Sequence, residues 1–310
     1  MLKRILGVSL LLLAATAYAA DLQKQLEAVA AKHEGKVALY VKNLRTGDTV
    51  AIDAEVPVKT ASVIKLPLMV EAFRQVKAGK IKLSDPIELT KDNQVPGSGV
   101  LAFMQPGLKL TLEDAISMMM MLSDNTATNM VIDAVGLKPT NEWLASKGLK
   151  NTYFYKKVYK KAEGPMPPDQ KQFGLGKTTA KEMAQVVESV TKCELGDKSL
   201  CDKMIYIMRN QQYRAMIPRY LETVDTSEEL SGVADKIGAL DEVRADVGAV
   251  FTRQGPIVIS AFTYDNKDQS WTPENQAEIL IGRMARMILD EWAPKGVATG
   301  EKDPLAGTKK

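Results

Sequence analysis

The 310 residues include one histidine, His33, and two cysteines, Cys193 and Cys201. One imidazole cannot supply both a metal site and a Ser-His-Asp triad, and the chain has no G-x-S-x-G elbow. Neither a metal nor an organic cofactor is expected. Long apolar runs are also scarce: the one at Ile5–Ala15 is too short to span a bilayer. Lys3 and Arg4 precede it and Ala17-Tyr18-Ala19 follows, the pattern of a cleaved export signal over residues 1–19, an uncleaved membrane anchor being the alternative. Location in the periplasm or outside the cell follows from that, with no membrane span left after cleavage.

Nor is there an excess of one charge. Without Lys3 and Arg4 the chain carries 39 basic and 38 acidic residues, a net charge of +1. Such a balance gives no support to a nucleic-acid partner or a polybasic membrane contact. In an oxidising compartment Cys193 and Cys201, close in sequence, are expected to form a disulfide, two free buried thiols being the alternative.

What is present falls into three blocks. Apolar spacing over Leu22–Ala31 predicts a helix. Two strands follow, Lys36–Val41 and Thr49–Asp53, joined by the turn Arg45-Thr46-Gly47-Asp48. The middle reads as helices over Ser62–Lys77, Thr111–Leu122, Thr126–Val135, Thr140–Lys147, Thr178–Thr191 and Ser199–Asn210, with Thr111 and Asp114 set as a capping box. Strands return at Ala234–Ala239, Val243–Thr252 and Ile257–Tyr264, and a helix over Ala277–Trp292 closes the order. Because helices interrupt the strands, the early and late strands are predicted to join in one antiparallel sheet with the helical block beside it. A cleft between two such lobes favours a small-molecule site. The expected division is an α/β lobe of residues 20–58 and 212–293, a helical lobe of residues 59–211, and a disordered tail at 294–310 rich in Gly, Pro, Lys and Ala.

A serine hydrolase built on this chain must activate its nucleophile without histidine. Lysine is the alternative, provided its pKa is lowered enough to accept a proton. Ser62-Val63-Ile64-Lys65 meets that need, since residues three apart on a helix share a face. The S-x-x-K pattern is weak alone, because Ser189-Val190-Thr191-Lys192 repeats it. Support comes from Ser123-Asp124-Asn125, where a second hydroxyl can relay a proton and Asn125 can hold a substrate amide. Lys236-Ile237-Gly238 adds a cation and a glycine on a predicted strand.

In that order the three elements resemble the S-x-x-K, S-D-N and K-T-G set of class A β-lactamases and penicillin-binding proteins. Val95-Pro96-Gly97-Ser98-Gly99, Gln105-Pro106-Gly107, Gly176-Lys177-Thr178-Thr179 and Val243-Arg244-Ala245-Asp246 extend the resemblance to residues 25–292. It implies an α/β fold of the β-lactamase/transpeptidase kind, with a five-stranded antiparallel sheet flanked by helices, an all-helical lobe, and the active site between them. It further implies Ser62 as nucleophile, Lys65 as general base, and Ser123 as relay hydroxyl. Asn125, Lys236 and Gly238 become substrate-binding positions, and the Ser62 and Ala239 amides the oxyanion hole. Arg244 becomes a second carboxylate-binding group. The implied substrate is a small molecule, a β-lactam or a peptidoglycan peptide.

Two departures bear on the reaction. The E-x-x-L-N element whose glutamate positions the deacylating water in class A β-lactamases is missing, and its place falls on Val158. Glu163 is the nearest carboxylate and the candidate substitute. Ile237 replaces the threonine of K-T-G and removes a hydroxyl for a substrate carboxylate, a loss of about 1.5–3 kcal/mol. The expectation is acylation on Ser62 with slow release. A D-alanyl peptidase or esterase acting on cell-wall fragments is the enzymatic alternative. A non-catalytic envelope binding protein is the other, against which stand Ser62, Lys65, Ser123 and Asn125.

Overall fold

A computed structural model describes residues 21–221 and 231–298. The export-signal segment 1–19 and tail residues 299–310 lie outside the described residues. Residues 21–30 form α1. The first hairpin is β1 (Lys36–Asn43) and β2 (Thr49–Ile52), closed where Asn43 Oδ1 accepts from the Arg45 and Thr46 amides. A short β3 (Val58–Lys59) leads to a 3-10 turn, Ala61–Ile64, and α2 (Lys65–Lys77).

The middle of the chain holds β4 (Pro86–Glu88), β5 (Lys109–Thr111), α3 (Leu112–Met121), α4 (Asn125–Val135) and α5 (Leu137–Ser146). Next come β6 (Tyr153–Phe154), α6 (Gln170–Phe173), β7 (Gly176–Thr178), α7 (Ala180–Thr191) and α8 (Lys198–Arg209). The chain returns through β8 (Val233–Leu240), β9 (Val243–Val250) and β10 (Ile257–Tyr264) to α9 (Gln276–Trp292).

Early and late strands do share one antiparallel sheet, in the order β2-β1-β10-β9-β8. Both faces of that sheet are covered. One packs on the helical block through residues such as Val63, Ile64, Phe73, Phe154 and Phe262. The other packs on α1 and α9 through Leu22, Leu26, Leu39, Ile259, Ile281 and Ile288. All eight residues of β9 are therefore buried, Arg244 and Asp246 included, although these two alternate with apolar residues along the strand. Strand β8 is an edge of the sheet, and it lies along the 3-10 turn that carries Ser62.

Several expectations are sharpened. Thr111 and Asp114 make the predicted capping box, each side chain bonded to the other's amide at 3.1 Å. Gly176–Thr178 pairs as a strand, so α7 begins only at Ala180, with Thr179 capping the Glu182 amide. The helical lobe also carries the β4–β5 and β3–β7–β6 pairings, runs of two or three residues too short to leave a periodicity. Tail residues 294–298 are ordered rather than disordered: Val297 is buried and bridges Thr252, and the Ala298 amide donates to Phe251. One apolar side chain with a place in the core outweighed the composition. Cys193 and Cys201 are joined as a disulfide, Cα–Cα 5.5 Å, tying the end of α7 to α8.

Candidate active site

Ser62 lies in the 3-10 turn and Lys65 opens the α-helix that continues it. Three residues make a full turn of 3-10 helix, so both side chains leave on the same side. The preceding Ala61 has φ +45°, a left-handed conformation that L side chains adopt at a cost of about 1 kcal/mol or more. Lys65 is fully buried. Its ammonium donates to the Ser123 carbonyl at 2.7 Å, to Ser123 Oγ at 3.2 Å and to Asn125 Oδ1 at 2.9 Å. The two motifs thus meet at one amine.

The Ser123-Asp124-Asn125 element occupies the turn between α3 and α4. Ser123 has φ +54°, which turns its carbonyl and hydroxyl together toward Lys65. Asp124 caps α4 through the Ala127 amide at 2.8 Å, and its second oxygen accepts from the Val100 and Leu101 amides at 2.6 and 2.9 Å. That tether draws the 98–101 loop so close that a Cβ on Gly99 would stand 2.2 Å from the Asp124 carboxyl. Only glycine fits there. The same loop receives the Asn125 amide proton at the Ser98 carbonyl and the Asn125 side chain at the Pro96 carbonyl.

The third wall is β8. Lys236 is fully buried and donates to Ser123 Oγ at 3.0 Å and to the Ile237 carbonyl at 2.8 Å. Ser123 Oγ therefore stands between two lysines. Gly238 lies against the Ser62 turn: a Cβ there would meet the Thr60 carbonyl at 2.8 Å and the Ser62 amide nitrogen at 3.1 Å. Ala239 follows it on the same edge strand.

Two buried cations in one pocket disfavour each other's charge. Burial first, then the Lys236 charge, lowers the Lys65 pKa well below the ordinary lysine value, with Asp124 opposing. Burial lowers Lys236 to about 7, against the pull of Asp235 and Asp246. A lysine whose pKa is lowered sheds its proton more readily, and its amine can then accept one from a hydroxyl.

Two predicted positions, Arg244 and Glu163, are not brought into this cluster. Arg244 is fully buried and turned to α9. Its guanidinium pairs with Glu278 at 3.0 Å, donates to the Leu240, Val243 and Ser270 carbonyls, and stacks on Trp271. Glu163 is exposed and lines a separate cavity of about 700 Å³ with Asp133, Lys161 and Met166. The second S-x-x-K is dispersed, because Ser189 Oγ bonds the Val186 carbonyl and Lys192 pairs with Glu188.

Val158 is buried, and Asn129 holds its backbone at both ends: Oδ1 accepts from the Val158 amide at 2.9 Å and Nδ2 donates to its carbonyl at 3.1 Å. Sequence reasoning had missed Asn129. The available signal was its place four residues after Asn125, on the same face of α4. Among the described residues no group of three or more His, Cys, Asp or Glu side chains is arranged to hold a metal.

A family model described as the beta-lactamase enzyme family matches residues 21–292. Among solved structures, a β-lactamase from Sphaerobacter thermophilus is 30% identical and superposes with a TM-score of 0.73, covering 88% of this chain and 96% of its own. PBP-A, solved as a mutant in an acyl-enzyme complex with penicillin G, is 24% identical with a TM-score of 0.73, over 87% of this chain and 96% of its own. The β-lactamase CARB-3 of Pseudomonas aeruginosa is 23% identical over 84% of this chain and 88% of its own. The β-lactamase regulatory protein BlaB of Streptomyces cacaoi matches over only about a third of each chain, at 28% identity.

Proposed function

The chain belongs to the beta-lactamase enzyme family, and from that premise we propose that it is an exported serine hydrolase that acylates Ser62 and releases the acyl group slowly. The observation that carries this is the convergence of Lys65 on both Ser123 and Asn125 while Lys236 reaches Ser123 from the other side. That arrangement offers a route for one proton from nucleophile to leaving group. Ser62 Oγ attacks an amide or ester carbonyl and gives its proton to neutral Lys65. The carbonyl oxygen becomes an oxyanion, held by the Ser62 and Ala239 amides. As the bond to nitrogen or oxygen breaks, Ser123 Oγ protonates the leaving group and is reprotonated from a lysine beside it. Asn125 and Lys236 orient the substrate.

Release of the acyl group needs a water and a base to activate it. Val158 supplies none, and Glu163 is exposed in another cavity. We therefore read acylation as intact and deacylation as slow. β-Lactams enter through ring strain, and cell-wall peptides or esters by the same chemistry. The Cys193–Cys201 disulfide accords with an oxidising compartment.

The test is intact mass over hours with penicillin G, beside turnover of a chromogenic cephalosporin. A single adduct on Ser62, absent in Ser62→Ala and persisting while the cephalosporin turns over slowly, is expected. Fast turnover would overturn the deacylation argument. A wild-type protein that takes no adduct would point instead to a binding protein on a degenerate pocket.

A further inference from the structure

The fold makes no use of the Tyr159 side chain. Its ring is 66% exposed and belongs to neither apolar core. Its hydroxyl bonds to no described residue. Yet the backbone there stands at φ +54°, a left-handed conformation that a bulky L residue rarely adopts and glycine adopts freely. Ala61, next to the nucleophile, and Ser123 share it. Strain of this kind persists only where the surroundings enforce it, and it gathers at functional sites. At Tyr159 both flanks are held: Asn129 grips the Val158 backbone, and Lys160 pairs with Asp92 at 2.9 Å.

The held ring ends on the Asn125 side of the Ser62 cluster. A Cβ on Gly97 would stand 2.7 Å from Asn125 Nδ2 and, from the same point, 3.3 Å from Tyr159 Cε2 and 3.4 Å from its hydroxyl. The phenol and the carboxamide are therefore neighbours, and Asn125 Oδ1 in turn accepts from Lys65. We propose that Tyr159 is a specificity-determining residue, which stacks on an aromatic group in the acyl portion of the substrate. The site then prefers arylacyl amides to aliphatic ones. This rests on Ser62 as nucleophile and Asn125 as a substrate-orienting group, as proposed above. Covering the exposed ring stabilises the complex by the apolar area removed from water and by offset stacking. Little side-chain entropy opposes it, because tyrosine has only two torsions to fix.

Penicillin G and 6-acetamidopenicillanic acid test this, since they share the fused rings and the side-chain amide and differ by a phenyl group. In each, Ser62 Oγ forms the new C–O bond, the lactam C–N bond breaks, and the serine proton ends on the ring nitrogen. Second-order acylation rate constants, read by intact mass, should favour penicillin G by about fivefold or more. Tyr159→Gly should cut that preference at least about threefold. Its Tm should stay level or rise, because glycine relieves the left-handed backbone. Tyr159→Phe keeps the ring and should keep the preference. A wild type without the preference would overturn the inference and leave Ser62 as nucleophile. So would a Tyr159→Gly variant that slows both penicillins equally, the mark of a structural role, or a Tyr159→Phe variant that loses the preference. If neither penicillin leaves an adduct on wild-type Ser62, the nucleophile assignment fails and the inference falls with it.

Discussion

Lys65 shows most directly how position changes chemistry. In water its amine is a cation at any physiological pH. Inside this protein, burial and the Lys236 charge lower its pKa, which suits it to the base role proposed above. Acylation of Ser62 should therefore rise with pH through the lowered pKa of Lys65 and level off above it, well below the region where an ordinary lysine titrates. Lys65→Ala should slow acylation roughly 10²–10⁴-fold, the range for a lost general base, and should abolish that pH dependence. Stopped-flow acylation across pH measures both. Val158 gives the complementary prediction. Its backbone is already fixed by Asn129, so Val158→Glu puts a carboxylate on a held segment. The penicillin adduct should then shorten in lifetime by about 10²-fold, with Val158→Gln as the control that leaves it long. Time-resolved intact mass reads the difference.

Strands β8 and β9 do more than line the cleft. Behind Lys236, Asp235 and Asp246 lie on the same face of the two strands, both fully buried. Asp246 Oδ2 accepts from the Ile217 amide, and a side-chain hydrogen bond links the two carboxyls to each other. Burial raises both pKa values, and for Asp235 the Asp246 charge adds to it. The folded state thus holds protons that the unfolded chain has already released. Its contribution to stability is present at acid pH and is lost as pH rises from the unfolded carboxyl pKa through the folded one. Asp246→Asn keeps an oxygen for the Ile217 amide and removes one buried charge. It should stabilise the protein by roughly 1–3 kcal/mol at pH 7 and flatten the decline between about pH 4 and 7. Urea denaturation at several pH values tests this. Lys236 shows how the two faces of one strand are coupled, since both acids raise the pKa of a lysine that burial lowers.

At the scale of the whole molecule, the site depends on the sheet being assembled from both ends of the chain, with helices filling the interval. The Cys193–Cys201 bridge lies within that helical block, joining the end of α7 to α8. It closes a short loop, so the chain-entropy estimate for its loss is about 2.5 kcal/mol. Cys193→Ser with Cys201→Ser should lower Tm by roughly 5 °C and leave the Ser62 acylation rate within twofold, because no cluster residue touches the bridge. Calorimetry and adduct formation together decide it.

How much was legible in advance varied with the range of the interaction. Long amphipathic segments such as α7 and α9, the Thr111 cap and the three catalytic-type motifs are written locally, in periodicity and in residue types at fixed spacing. The pairing of β1 with β10 was inferred only as a consequence of order. The β3–β7–β6 pairing was not legible at all, since two residues carry no period. The amino-acid sequence by itself determined which side chains are available: a serine and a lysine three apart, no second histidine, no glutamate at 158, no threonine at 237. Tertiary structure alone decided which of them meet. It gathered Ser62-Lys65 with Ser123 and Asn125 and dispersed the identical Ser189-Lys192 pattern. It closed Arg244 into a buried ion pair, and it lowered the pKa values of two lysines. Spacing along a chain fixes only neighbours within a turn or two. Burial and charge proximity arise between residues as far apart as Lys65 and Lys236, once a sheet edge is laid against a helix start.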